Sequence, residues 1–242
     1  MNQNKQITFH FPSLKKRRVE AAFKGGDVSS DGGVFSLLRQ RIYAMCLGYE
    51  DLNDHDSLRK DVGLQTSVDR VGALASSPTL CRWENRADRW IAWLVHEVFV
   101  EQFIDSFQEA PKELILDFDS TDDRVHGNQE KRFFHGYYGN YCARGEMENR
   151  IEEQQLGLFA DRTSCQKWWA NQFRLLISSC AYVLMETLRR IGLKAADLAR
   201  AQVSTIRLKL LKIGVIILQN SRRIRFLLPS SYPHQKFNFE NS

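Results

Sequence analysis

Four carboxylates crowd together near the middle of the chain. Asp117, Asp119, Asp122 and Asp123 fall within seven residues, directly after the apolar run Leu114-Ile115-Leu116. An apolar strand that ends in aspartate brings an oxygen donor to a sheet edge. There a hard divalent cation such as Mg²⁺ can reach it together with phosphate oxygens. Aspartate and serine are also ordinary turn residues, so the segment alone reads equally well as a strand running into a turn. Glu148 stands 29 positions beyond Asp119, in the pattern Tyr141-x2-Arg144-x3-Glu148. On a helix these three fall at about 0°, 300° and 340°, on one stripe. The glutamate can then hold a metal while the arginine holds a phosphate. The same Arg144/Glu148 spacing also makes an ordinary surface salt bridge.

A different chemistry fits part of the first segment. Asp117-x-Asp119-x-Thr121 after an apolar run matches the pattern of haloacid-dehalogenase-type phosphatases, with Asp117 as nucleophile and Asp119 as acid and base. No later paired acidic motif supplies the metal that such an enzyme needs.

The elements that must position these residues show in the spacing of apolar side chains. Residues 1–34 read as extended, ending in the turn cluster around Gly32-Gly33. Leu37, Leu38, Ile42, Met45 and Cys46 predict a helix over 34–47 with Arg39 and Arg41 on its outside. Residues 51–56 form a polar turn that caps a helix from Ser57. Ser77-Pro78-Thr79 is a helix start, and the helix from Leu80 carries Trp83, Trp90, Ile91, Leu94, Val95 and Val98 on one apolar face. Arg82 and Arg86 lie on its other faces, as in a small DNA-contacting module or in any amphipathic helix. Residues 114–119 read as a strand, 133–138 as its partner, 143–156 as a helix, and 167–191 as a long apolar helix. From Ser204 the period changes to two, and 206–226 reads as a β-meander with a basic face formed by Arg207, Lys209, Arg223 and Arg225.

Composition narrows the class. The 242 residues carry a net charge of +5, with 43% hydrophobic and 26% charged residues, as expected of a globular chain with a polyanionic partner. Charge is uneven: Lys15-Lys16-Arg17-Arg18 forms a basic knot, and residues 200–236 hold eight Lys and Arg with no Asp or Glu. Such a stretch suits a phosphate-facing surface or a solvated basic face. Five cysteines without CxxC spacing fit reduced thiols rather than a zinc ribbon or a disulfide framework. The N-terminus has no apolar leader and the longest apolar run is too short to span a bilayer, so a cytoplasmic protein is expected.

Residues 48–56, 80–86, 114–127, 146–161 and 163–174 resemble bacterial insertion-sequence transposases of the DDE superfamily, most of all the thirteen-eighty group. The resemblance implies an RNase H-like core in which three carboxylates hold two Mg²⁺ or Mn²⁺ ions. These activate water, then a DNA 3′-hydroxyl, for in-line attack on phosphodiesters. It assigns Asp119 as the first catalytic and metal-binding aspartate and Glu148 as the final glutamate. Tyr141 and Arg144 become DNA contacts, joined by Arg82, Arg86, Arg207, Lys209, Arg223 and Arg225. The family's lysine seven residues after the glutamate is Gln155 here. The partner implied is DNA, the terminal inverted repeats of the element, and the protein can be a homo-oligomer.

The second aspartate of the family has no counterpart. No Asp lies between Asp123 and Glu148, and the interval cannot hold the remaining core strands and helix. An internal deletion joined around Tyr141-Cys142 is therefore expected, with a smaller loss near residues 34–40. The expected fold is α+β. A mostly helical DNA-binding-like region occupies 1–110. An incomplete RNase H-like fragment, the long helix and the basic meander occupy 111–242. The function expected is that of a DDE transposase by descent, inactive in catalysis, with a DNA-end-binding remnant as the alternative.

Overall fold

Leu37, Leu38, Met45 and Cys46 do turn to one side of a helix, α1 (Val34–Leu47), and are buried there. The computed structural model describes residues 33–107, 109–113, 145–194, 196–220 and 223–232. α1 ends at Gly48, whose φ of 86° is the left-handed value that glycine adopts without strain. A Cβ at this position would lie 2.9 Å from Arg207 Cδ, so close approach also requires the glycine.

Two short helices follow, α2 (Asp54–Leu58) and α3 (Val62–Ser67), the latter capped by Asp61, which accepts from the Leu64 N–H at 2.7 Å. Residues 54–56 are thus inside a helix rather than in a capping turn. Asp56 caps something more distant, accepting from the Ser77 N–H at the start of α4 (Ser77–Glu84) at 3.0 Å. Pro78 sits in the first turn of α4, as its fixed φ favours.

The single long helix expected from Leu80 is broken. α4 stops at Glu84, and α5 (Arg89–Asp105) starts afresh, capped by Asp88, whose carboxylate accepts from the Ile91 N–H at 2.9 Å. The break rotates the apolar face: Ile91, Leu94 and Val98 are buried, whereas Trp90 is 55% exposed.

α6 (Gly145–Glu152) continues into a π-helical turn, Glu153–Gly157. α7 (Trp168–Thr187) continues as a π-helical turn over Leu188–Gly192. Its region agrees with the expected helix, but its character does not. It is not apolar throughout, because Asn171, Arg174 and Ser178 are buried among the apolar side chains of its packed face. α1 and α5 both pack along it. Trp83 of α4 meets Phe173 of α7 edge to face, with ring centroids 5.0 Å apart. Leu37, Trp83, Phe173, Ile177, Met185 and Ile206 belong to one continuous core. A satellite cluster of Ala44, Leu58, Leu64, Val68 and Leu74 seals α2 and α3 against the other side of α1.

After a short 3₁₀ turn, Asp197–Arg200, comes α8 (Val203–Ile206) and a further π-helical turn, Arg207–Leu211. The expected strand over 206–211 is therefore helical. Alternation of Ile206, Leu208 and Leu210 gave the strand pattern. In the fold the inward set is instead Val203, Ile206, Leu210 and Leu211, a helical spacing, and Leu208 is 69% exposed. What remains of the meander is one hairpin, β1 (Ile216–Gln219) antiparallel to β2 (Ile224–Leu227), with Ile216 opposite Leu227 and Gln219 opposite Ile224. The described residues thus form a helix-dominated structure with one two-stranded sheet. No described helix is long and apolar enough to cross a membrane. The expected strands at 114–119 and 133–138, and with them most of the RNase H-like fragment, lie outside the described residues, as does the basic knot at 15–18.

Candidate functional site

Glu148 lies on α6, and the helix expected there exists. Its side chain is outside the described part, as are Asp119, Tyr141 and Arg144, and Asp117 and Thr121 of the phosphatase-like pattern. What the structure does show is how the segment carrying Glu148 is held. Arg150 donates from Nη1 to Tyr182 Oη at 3.2 Å and to Glu186 Oε2 at 3.1 Å, both on α7. The Glu153 carboxylate accepts from Arg189 Nη2 and from the Val203 N–H at the start of α8. Gln154 Nε2 donates to Ser179 Oγ at 2.8 Å, and Ser178 Oγ donates to the Leu158 carbonyl at 2.9 Å. A polar ladder therefore fixes α6 along α7 and against α8.

Arg207 completes the clamp. Its guanidinium donates to the Cys46 carbonyl at 2.8 Å and the Met45 carbonyl at 3.2 Å, in the last turn of α1, where Met45 also accepts from the Gly48 N–H at 3.0 Å, and to the Gly157 carbonyl. It also lies over the Phe159 ring, 5.6 Å from the centroid. Burial lowers its pKa, with only the Cys46 thiol acting in the opposite sense. A residue expected on a phosphate-facing strand thus serves as a joint between α1, the end of α6 and α8.

Of the other basic candidates, Arg82, Lys209, Arg223 and Arg225 are exposed and Arg86 is half-buried. Arg82 is exposed on α4 and donates to Thr79 Oγ1 at 3.4 Å. Arg86 stands in the α4–α5 turn, where Lys167 Nζ also donates to the Asn85 carbonyl at 3.3 Å. Lys209 is exposed on the last π-helical turn, and its carbonyl accepts from Tyr232 Oη. Arg223 and Arg225 are exposed on the hairpin, Arg223 in a turn closed by its N–H to Asn220 Oδ1 at 2.8 Å. Arg82 and Arg86 are thus near each other in sequence, and so are Arg223 and Arg225. Among the described residues, no three His, Cys, Asp or Glu side chains gather as a metal site.

The most deeply buried ion pair among the described residues was not foreseen. Arg41, read as outward-facing, is fully buried with Glu84. Arg41 Nε donates to Glu84 Oε1 at 2.7 Å, and Arg174 Nε lies 3.0 Å from Glu84 Oε2. Burial lowers the Arg41 pKa, opposed by the Glu84 carboxylate. Arg174 also donates to Ser164 Oγ at 2.8 Å, in the loop that leads into α7. Asn171 holds the same loop through both backbone groups of Cys165, at 2.9 and 2.8 Å.

His55 lies beside this cluster. Burial, then the Arg41 charge, push its pKa down to about 3, so the ring is neutral. Its Nε2 faces Arg41 Nη1 at 3.1 Å and its Nδ1 faces Gln40 Nε2 at 3.0 Å. The Gln40 amide is oriented by the Ala75 backbone, donating to its carbonyl at 2.9 Å and accepting from its N–H at 3.1 Å. A neutral imidazole has one lone pair available, so it accepts from only one of these two donors. Neither the guanidinium nor the amide nitrogen can accept, and the charged Arg41 donor, as the stronger of the two, favours the lone pair on Nε2. This cluster is buried, and it ties together the α1–α4–α7 junction.

A family model described as transposase DDE domain group 1 matches the chain over residues 34–142 and again over 139–240. No match was found among curated proteins or among solved structures.

Proposed function

The chain belongs to the transposase DDE domain group 1 family, and from that premise we propose that it is an internally shortened transposase that binds DNA ends without cutting them. The observation that carries this reading is the form of the family match. It falls in two pieces that meet at 139–142, at the place where the sequence puts the join. Two further features support it: Asp119 and Glu148 are 29 positions apart, and no Asp lies between Asp123 and Glu148. By its motifs the chain also resembles the thirteen-eighty group.

Transposases of this family work with a divalent metal ion. Two carboxylates without a third make a poor cradle for a pair of such ions, and catalysis needs its ligands placed within about 0.5 Å. No cutting step is therefore assigned to this chain. DNA binding makes a weaker demand, since it requires exposed cations rather than a shared ligand set. Exposed Arg82 with half-buried Arg86 near it in sequence, and exposed Lys209, Arg223 and Arg225, are the proposed contacts. Arg207 is assigned to the structural clamp instead.

The test is incubation of the full chain with Mg²⁺ or Mn²⁺ and duplexes carrying the element's terminal inverted repeats. The expected result is a retarded complex and intact strands. Affinity should fall steeply with salt, and replacing Arg223 and Arg225 by alanine should reduce the log–log salt slope by about 2. Efficient metal-dependent nicking at the ends would overturn the loss of catalysis. Binding without salt dependence, or without preference for the ends, would overturn the proposed role.

A further inference from the structure

Four of the five cysteines lie among the described residues, and they fall into two kinds. Cys46 of α1 is in the core, and Cys180 of α7 packs against it. Burial pushes both thiols up to about 12, and Cys46 Sγ donates to the Ala181 carbonyl at 3.8 Å. These behave as small apolar side chains. Cys81 is exposed on α4, and Cys165 is half-buried in the loop that leads into α7.

The second pair is 84 positions apart in sequence, yet both members stand on the seam between α4 and that loop. The seam is fixed on each side. Asn171 accepts from the Cys165 N–H at 2.9 Å and donates to its carbonyl at 2.8 Å. Asn85 donates from Nδ2 to the Cys81 carbonyl at 2.9 Å and reaches the Cys81 thiol at 3.5 Å. Two cations then cross from the loop side to α4. Lys167 Nζ donates to the Asn85 carbonyl at 3.3 Å. Arg174 Nε lies 3.0 Å from Glu84, about one turn after Cys81, while its Nη1 donates to Ser164 Oγ at 2.8 Å, next to Cys165. The Arg174 guanidinium also hydrogen-bonds the Cys165 thiol, and Cys81 lies within electrostatic reach of it. Burial raises the Cys165 pKa, and the Arg174 charge opposes that rise.

We propose that Cys81 and Cys165 are a reversible redox pair, which a peroxide oxidant joins into a disulfide tying α4 to the loop before α7. Cys81 is the exposed member, so peroxide reaches it first. Its thiolate attacks one peroxide oxygen, the O–O bond breaks, and the leaving hydroxide takes a proton to become water. The product is a sulfenic acid. The Cys165 thiolate, its charge favoured by Arg174, then attacks the Cys81 sulfur. The S–O bond breaks and a second water leaves. Two thiols give up two electrons and two protons, and one hydrogen peroxide takes them up as two waters. A dithiol reductant reverses the change. A disulfide needs its Cα atoms within about 7 Å, so oxidation also measures how tight the seam is. The inference is independent of the catalytic state of the chain and of its binding to DNA.

Peptide mapping of the full chain tests it. The reduced protein is treated with hydrogen peroxide at low concentration of protein, blocked with an alkylating agent and digested without reductant. The expected result is a linked pair of peptides from one chain, holding Cys81 and Cys165 and lighter by two hydrogens than its reduced parts. Dithiothreitol should abolish it. Cys46 and Cys180 should alkylate only after unfolding. Cys165→Ser should leave Cys81 to advance to sulfinic acid, which dithiothreitol does not reverse, with an unchanged circular dichroism spectrum. Sulfinic acid on Cys81 of the parent, with Cys165 still free, would overturn the inference, because the two thiols would then be too far apart. A link from Cys81 to Cys142 or to a second chain would overturn it as well. So would thiols left intact by peroxide that oxidises free cysteine under the same conditions.

Discussion

Two arginines stand two positions apart on α1, and each meets a carboxylate oxygen at 2.7 Å, yet they occupy opposite environments. Arg41 and Glu84 are completely buried at the α1–α4–α7 junction, with Arg174 behind them. Arg39 and Asp69 are on the surface, with side-chain exposures of 33% and 67%. The comparison separates distance from consequence. In the interior neither charge can fall back on water, so each needs the other. At the surface, water and salt substitute for either partner. The same contrast governs α5, where two tryptophans stay outside while two arginines and a glutamate of the junction go inside. Burial follows the geometry of the packed elements, and side-chain polarity only biases it.

The largest effect should come from removing the shared partner at the junction. Glu84→Ala leaves the Arg41 and Arg174 guanidinium groups facing each other in a dry interior, and Arg41 already has an unpartnered Nη2 among the described residues. Chemical denaturation should show a loss of about 3–5 kcal/mol. Replacing the whole set at once, Arg41→Met with Glu84→Leu and Arg174→Met, should cost less than the single change, because no buried charge remains. If Glu84→Ala proves as stable as the parent, the junction is wetter than its geometry implies.

The next effect is a pH dependence from the same region. His55 has a folded pKa of about 3, below the ordinary value of 6.5, because burial and the Arg41 charge disfavour its protonated form. The unfolded chain therefore binds the extra proton first. Stability from this residue is fully present above pH 6.5 and declines as pH falls toward 3. The slope approaches 1.36 kcal/mol per pH unit, so about 2 kcal/mol is lost by pH 5. Urea titrations at pH 7 and pH 5 on the parent and on His55→Gln check this. The difference between the two pH values should shrink in the variant, and an undiminished difference would assign the loss to other groups.

These same residues show how far the sequence could be read. α1, the start of α4, and the helices at α6 and α7 were legible because their evidence is local: apolar spacing, and proline in a first turn. Arg41 was misplaced because a charged residue defaults to solvent and its partner is 43 positions away. The strand reading of 206–211 failed because periods of two and of 3.6 coincide over a few residues. Only packing of Val203 and Ile206 against the core separates them. The break before α5 did carry a local sign, Asp88 three residues ahead of Ile91, but the run of apolar residues across 83–98 masked it. For the candidate site, the segment with Glu148 was legible as a helix. Its supports were not, because Arg150, Glu153 and Arg207 each reach partners between 32 and 162 positions away.

The smallest effect is the one that completes the comparison. Arg39→Ala removes an ion pair with the same 2.7 Å separation as the buried one. Because both side chains keep contact with water, the pair gains little over its solvated parts and must also order two side chains. Denaturation at moderate salt should show a loss below about 1 kcal/mol, shrinking further as ionic strength rises. A loss near that of Glu84→Ala would mean that Arg39 secures the satellite cluster beneath α3, and that the surface pair is structural in its own right. The expected gap of several-fold between two contacts of equal length would instead place the difference in solvent access rather than in geometry.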